Sequence, residues 1–169
     1  GHAVLTAKRV VGEEPFAVLL GDDIIDNDVP VLKQMMDVHA RYPATVLAIQ
    51  KVPHAQTGQY GIIDAKKIED GVYLVKDLVE KPSPADAPSN LAIIGRYILT
   101  PEIFTALEQT RPGKGGEIQL TDGLKLLMGK QPIYAFEFEG KRYDAGDKLG
   151  FLKATVEFAL KREDLGGAF

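Results

Sequence analysis

The chain has 169 residues, 45% of them hydrophobic and 26% charged, with a formal net charge of −4 and no cysteine. Such a chain can bury a core as a single domain, expected over 1–169, and it excludes a disulfide scaffold or thiolate metal site. Weak acidity without clustered Lys or Arg argues against nucleic-acid or anionic-membrane binding, no apolar run nears the ~20 residues of a membrane span, and no signal-peptide pattern opens the chain, so a cytoplasmic location is expected.

Gly1-His2-Ala3-Val4-Leu5 starts inside an amphipathic helical pattern (Val4, Ala7, Val10 or Val11) without an initiating Met, which reads as a tag remnant or as a piece of a longer polypeptide. Phe16 to Leu20 is an apolar run of strand length, expected to be covered on both faces, and it runs into Gly21-Asp22-Asp23. Asp28-Val29-Pro30 offers a helix cap with proline near the first turn, and Leu32, Met35, Met36 and His39 follow at helical spacing until Tyr42-Pro43. His39 reads as a satisfied, partly buried residue rather than a ligand. Thr45 to Val52 reads as a second buried strand. Gly58 to Gly61 reads as a turn or bulge before a short strand at Ile62-Ile63, and Gly71 opens a strand from Val72 to Val79.

That strand ends in Glu80-Lys81-Pro82, where Pro82 withholds the next ladder hydrogen bond and leaves the charged pair near a strand end. Ser83 to Asn90, with two prolines, is a loop, and Leu91 to Leu99 returns as a strand. Thr100 is the expected cap of a short helix beginning at Pro101-Glu102. Arg111 to Gly116 is a Gly- and Pro-rich turn, and Leu120, Leu124, Leu127 and Met128 mark one face of the next helix. Tyr134, Phe136 and Phe138 alternate as a strand ended by Gly140. Asp147 caps a last helix whose buried side is expected to carry Leu149, Leu152, Val156 and Ala159 or Leu160. Alternating strands and helices imply an α/β sandwich with a mainly parallel or mixed sheet.

In open α/β sheets the ligand crevice lies beyond the carboxyl ends of the strands, so Asp22 and Asp23 are candidate metal ligands. Hard cations such as Mg²⁺ take carboxylate oxygens together with substrate phosphates and water, so one or two Asp residues suffice. Asp144 also follows a strand, and Gly146 allows close backbone approach beside it. Glu80 can accept from hydroxyls while Lys81 puts three donors and a compact charge on a phosphate, a pairing suited to one polyol phosphate. No Ser-His-Asp or Cys-His set can be assembled, which argues against covalent catalysis. Asp26-Asn27-Asp28 can be read as the metal motif of a glycosyltransferase, although Asp28 also reads as a helix cap.

Glu80-Lys81-Pro82, Asp22, Gln59-Tyr60-Gly61-Ile62-Ile63, Asn90-Leu91-Ala92, Gly95-Arg96-Tyr97-Ile98-Leu99, Gly116-Glu117-Ile118-Gln119-Leu120-Thr121-Asp122 and Gly140-Lys141-Arg142-Tyr143-Asp144 together resemble the bacterial UTP:glucose-1-phosphate uridylyltransferases over essentially the whole chain. The resemblance implies a Rossmann-like nucleotidyltransferase three-layer sandwich with a mixed sheet. It also implies formation of UDP-glucose and pyrophosphate from UTP and glucose 1-phosphate, and a homo-oligomer. Carried over residue by residue, it makes Asp22 and Asp144 the Mg²⁺ ligands, Lys81 the contact to the sugar phosphate, Glu80 the acceptor for glucose hydroxyls, and Gly61 the point of backbone approach to the sugar. Asp22, Lys81 and Asp144 are then the catalytic residues.

The family's opening strand and glycine-rich triphosphate loop are missing here, so the N-terminal nucleotide-binding strands are expected to be absent and this stretch to be inactive alone. Two other readings stay open: a non-catalytic nucleotide-sugar binding or assembly module, and a thymidylyltransferase of the same plan. The glycosyltransferase reading leaves Glu80-Lys81-Pro82 and the Gly116 to Asp122 segment unexplained.

Overall fold

The computed structural model describes residues 1–168. Two short helices, α1 (His2–Thr6) and α2 (Lys8–Val11), precede β1 (Phe16–Leu19) and β2 (Asp23–Asp26). Helix α3 (Val31–Arg41), β3 (Thr45–Lys51), a 3₁₀ turn at His54–Gln59, β4 (Gly61–Glu69), β5 (Val72–Glu80) and β6 (Leu91–Leu99) follow. The chain then forms α4 (Glu102–Gln109), a 3₁₀ turn at Lys114–Gly116, α5 (Leu120–Met128), β7 (Ile133–Glu137), β8 (Lys141–Asp144) and α6 (Lys148–Lys161).

Six strands form one sheet in the order β1-β6-β3-β7-β5-β4, and β2 pairs with β8 in a separate ribbon. The sheet is mixed but mainly antiparallel, since only β3 and β7 run parallel. The expectation of a mixed sheet holds; a mainly parallel one does not form, because β4 and β5 are joined by a tight turn through Gly71 (φ 69°) instead of a crossover helix. Ile62 of β4 also pairs with Ala92 of β6, so the sheet curls and brings Gly61 beside the first residues of β6.

Alternate side chains of the central strands feed two cores. Leu47, Ile49, Ile133 and Ala135 face Ile103, Phe104 and Leu107 of α4 and Leu124 and Leu127 of α5. Val46, Ala48, Ala92 and Ile94 face Val31, Met35 and Val38 of α3. The three-layer α/β sandwich follows from this two-sided burial, at roughly 1.5–3 kcal/mol for each large side chain removed from water.

Several local expectations are corrected. The α3 cap is Pro30, with no side-chain capping bond, so Asp28 does not cap it; the restriction that proline puts on the preceding residue keeps Val29 off the helix. At α4 the cap is Pro101, and the Thr100 hydroxyl instead accepts from Gln131 Nε2 at 2.6 Å. Strand β1 lies at the sheet edge with Ala17 and Leu19 exposed, so it is covered on one face only. Strand β4 is nine residues long, well beyond Ile62-Ile63. Helix α6 is capped by Asp147 as expected, but Leu149, Leu152, Val156 and Leu160 point outward and Ala154 is its buried residue. Gly150 explains why this face turns inward: a Cβ there would lie 1.9 Å from the Asp144 carbonyl oxygen, so the helix rests directly on the β8 backbone. His39 is partly buried, its Nδ1 2.8 Å from the Ala44 carbonyl, as expected. No helix among the described residues is long and apolar enough to cross a membrane.

Candidate active site

The β2–β8 ribbon sets the geometry of the site. Antiparallel pairing puts Asp23 opposite Asp144 and Ile25 opposite Arg142, so segments more than a hundred residues apart lie side by side. Asp22 precedes β2 and its carbonyl accepts from Ala145 N at 2.7 Å, locking the two strand ends together. A Cβ on Gly146 would stand 3.2 Å from Asp144 Oδ1 and 3.3 Å from Asp22 Oδ2, so both carboxylates approach one small space that the missing side chain leaves open.

The opposite wall is built from β4, β5 and α5. Gly61 pairs with Glu80, and a Cβ at Gly61 would meet Ile93 Cδ1 and Thr121 Oγ1 at 3.2 Å and Glu80 Oε2 at 3.3 Å. Thr121 donates to Glu80 Oε2 at 2.5 Å, which leaves Oε1 facing Lys81 Nζ at 4.0 Å. Lys81 has φ 45°, the only left-handed backbone among the described non-glycine residues, and its N–H donates to the Tyr60 carbonyl at 3.0 Å.

Asp22, Gly61, Glu80, Lys81 and Asp144 thus line one cavity of about 290 Å³, together with Asp23, Tyr60, Tyr97, Thr121 and Arg142. Asp23 is brought near but spent inward: it is buried, accepts from Gly95 N at 3.1 Å and from Arg142 Nε, and its carbonyl accepts from Arg96. Asp26 is ion-paired with Lys161 outside the cavity, and Asp28 is exposed, so Asp26-Asn27-Asp28 forms no ligand set there. Burial, reinforced by the Glu80, Asp23 and Asp22 carboxylates, pushes the Tyr97 phenol well up, so it stays a neutral donor.

Sequence reasoning did not single out Tyr60, Tyr97, Thr121 or Arg142. All four stand inside recognisable segments, Gln59 to Ile63, Gly95 to Leu99, Gly116 to Asp122 and Gly140 to Asp144, yet only the folded register shows which side chains they meet. A larger cavity of about 590 Å³ lies beside α3. Four of its five charged lining residues are already engaged: Asp37 with Lys33, Arg41 with Glu69, Asp70 with Lys67, and Glu137 with Lys51 and Tyr73.

Among known proteins, the chain is 53% identical over 165 residues to a Staphylococcus epidermidis protein named UTP–glucose-1-phosphate uridylyltransferase, covering 98% of this chain and 57% of that protein. A Bacillus subtilis protein of the same name is 52% identical over 165 residues, covering 98% and 56%. A crystal structure of UDP-glucose pyrophosphorylase complexed with UDP-glucose superposes at a TM-score of 0.91 and 48% identity, over 95% of this chain and 62% of that one. The chain therefore spans less than two thirds of the length of these relatives. A model of the family described as nucleotidyl transferase matches residues 1–161, a stretch that takes in every strand and the whole cavity, and the chain belongs to that family.

Proposed function

We propose that this chain carries the sugar-phosphate side of a site that joins UTP and α-D-glucose 1-phosphate into UDP-glucose and pyrophosphate. The observation behind this reading is that Asp22, Gly61, Glu80, Lys81 and Asp144, from four separate segments, border a single cavity. Lys81 holds the sugar phosphate, and Glu80 uses Oε1 for a sugar hydroxyl while Thr121 occupies Oε2. Gly61 lets the sugar lie against backbone, since any side chain there would meet Ile93, Thr121 and Glu80.

Asp22 and Asp144 offer hard oxygen donors around the space at Gly146, which fits Mg²⁺. Among the described residues no group of three or more His, Cys, Asp or Glu has metal-holding geometry, so Asp22 and Asp144 would hold the cation together with substrate phosphates and water. When bound, the cation supplies charge neutralisation on the phosphate oxygens. In the reaction a phosphate oxygen of glucose 1-phosphate attacks the α-phosphorus of UTP in line. The new P–O bond forms as the α–β bridging bond breaks, and pyrophosphate leaves with that electron pair. No protein nucleophile is required; Lys81 and Glu80 position the acceptor and Lys81 offsets its charge. The same reading implies a cytoplasmic protein and a homo-oligomer.

Titration calorimetry with glucose 1-phosphate in Mg²⁺ tests the binding roles. Lys81→Ala should weaken binding by about tenfold or more, the loss of one charge-assisted contact; wild-type affinity would overturn the role of Lys81. Pyrophosphate release from UTP, assayed on the natural polypeptide containing these residues, tests the reaction. Preference for dTTP would make it a thymidylyltransferase, and binding without turnover would make it a binding module.

A further inference from the structure

Arg142 is the most heavily engaged side chain of the cavity. Its Nε donates to Asp23 Oδ1, its Nη1 to the Tyr60 hydroxyl at 3.0 Å, and its Nη2 to Asp144 Oδ2 at 3.3 Å. The guanidinium also lies over the Tyr60 ring, 5.2 Å from its centroid, and the side chain is 13% exposed. Three acceptors in three directions use the planar fork of arginine; a lysine ammonium has neither the reach nor the geometry to serve all three.

Charge bookkeeping separates orientation from neutralisation. Asp23 is itself buried and held by Gly95 N, so the Asp23 carboxylate and the Arg142 guanidinium form a compensated inner pair. Arg142 therefore reaches Asp144 with little net charge to cancel, and Asp144 keeps its own for a cation. Asp144 Oδ1 meanwhile accepts from Gly146 N at 3.1 Å, so each carboxylate oxygen is fixed by one donor and retains a lone pair toward the space shared with Asp22. The Tyr60 carbonyl accepts from Lys81 N, which joins the same guanidinium to the wall bearing Lys81.

We propose that Arg142, seated on Asp23, is a positioning residue that fixes the Asp144 carboxylate for a divalent cation and ties that carboxylate to the Tyr60–Lys81 wall. This rests on the reading of Asp22 and Asp144 as cation ligands. Outer partners of metal ligands typically account for 10–100-fold in metal affinity.

The test titrates Mn²⁺ alone onto the chain and follows the free and bound ion by electron paramagnetic resonance, with thermal midpoints recorded for each variant. Arg142→Lys keeps the charge and removes the fork; Mn²⁺ affinity should fall by about tenfold and the bound-ion line shape should change. Tyr60→Phe removes one partner of the guanidinium and should weaken Mn²⁺ by about threefold. Wild-type affinity and line shape in both variants would overturn the proposal, and if Arg142→Lys fails to fold, Tyr60→Phe decides it. Asp144→Asn is the control: equal Mn²⁺ binding by Asp144→Asn and wild type overturns the cation reading itself, and this inference with it.

Discussion

Lys81 combines two demands at one position. Its left-handed backbone, φ 45°, lets the N–H reach the Tyr60 carbonyl while the ammonium lies 4.0 Å from Glu80 Oε1 at the cavity. An L-residue in that region costs about 1–2 kcal/mol, which glycine does not incur, although glycine gives back part of the gain through the freedom of the unfolded chain. Such strain is expected where function sets the geometry, as in the role proposed for Lys81. Lys81→Gly should therefore be more stable than Lys81→Ala by about 1 kcal/mol, or a thermal midpoint about 2–4 °C higher for a chain of this size. Both variants should lose glucose 1-phosphate affinity alike, because both lose the ammonium. Equal midpoints in differential scanning calorimetry would show that the local backbone relaxes without strain.

At the scale of elements, Glu137 closes the end of β7 by accepting from Lys51 of β3 at 2.7 Å and from Tyr73 of β5 at 2.7 Å. Burial pushes this carboxyl up, but the bonds from Lys51 and Tyr73 outweigh it and hold the group below its ordinary value of 4.5. A carboxylate whose pKa is depressed by folding contributes stability above its unfolded pKa, and that contribution fades as pH falls through the folded value. Glu137→Gln should lower stability near neutral pH by about 1 kcal/mol, discounted for the exposed Lys51. The gap between variant and wild type should close as pH falls below 4.5, and a gap independent of pH would refute the linkage. Such ties mark the boundary of what local pattern conveys. The apolar run Val46-Leu47-Ala48-Ile49 and the helical spacing of Leu32 and Met35 announce their own burial, because period and face are local properties, although Met36, expected on the same face, is half exposed and Val38, not expected there, is buried. Glu80-Lys81-Pro82 and Asp144 were likewise legible as candidates. The meeting of Asp22 with Asp144, the diversion of Asp23 to Arg142 and the edge position of β1 depend on which distant strands pair, and spacing along the chain carries no record of that register.

At the scale of the whole molecule, α6 shows how periodicity can name the apolar face and miss its direction. The stripe Leu149, Leu152, Val156 and Leu160 is regular, yet each of these side chains is at least 40% exposed, because Gly150 and Ala154 let the opposite face settle on the β8 backbone. Phe158 follows on that inner face, its ring 5.9 Å from the Tyr143 ring centroid. The chain thus presents an aliphatic stripe on one helix and, separately, an edge strand with Leu19 half exposed. Exposed stripes of this kind favour association, and unpaired strand edges add to it. Static light scattering should therefore show an average mass that rises with protein concentration. The double substitution Leu152→Glu with Val156→Lys places an i, i+4 pair on the helix in its favourable order, so helicity is kept while the stripe is broken. Each aliphatic side chain withdrawn from such a contact forgoes up to about 1.5–3 kcal/mol, enough to raise the concentration needed for association by tenfold or more. Residual association driven by β1 should respond instead to Leu19→Lys, which charges the edge strand. If the α6 double variant associates as the wild type does and Leu19→Lys abolishes association, the helix stripe is not the contact and the edge strand is.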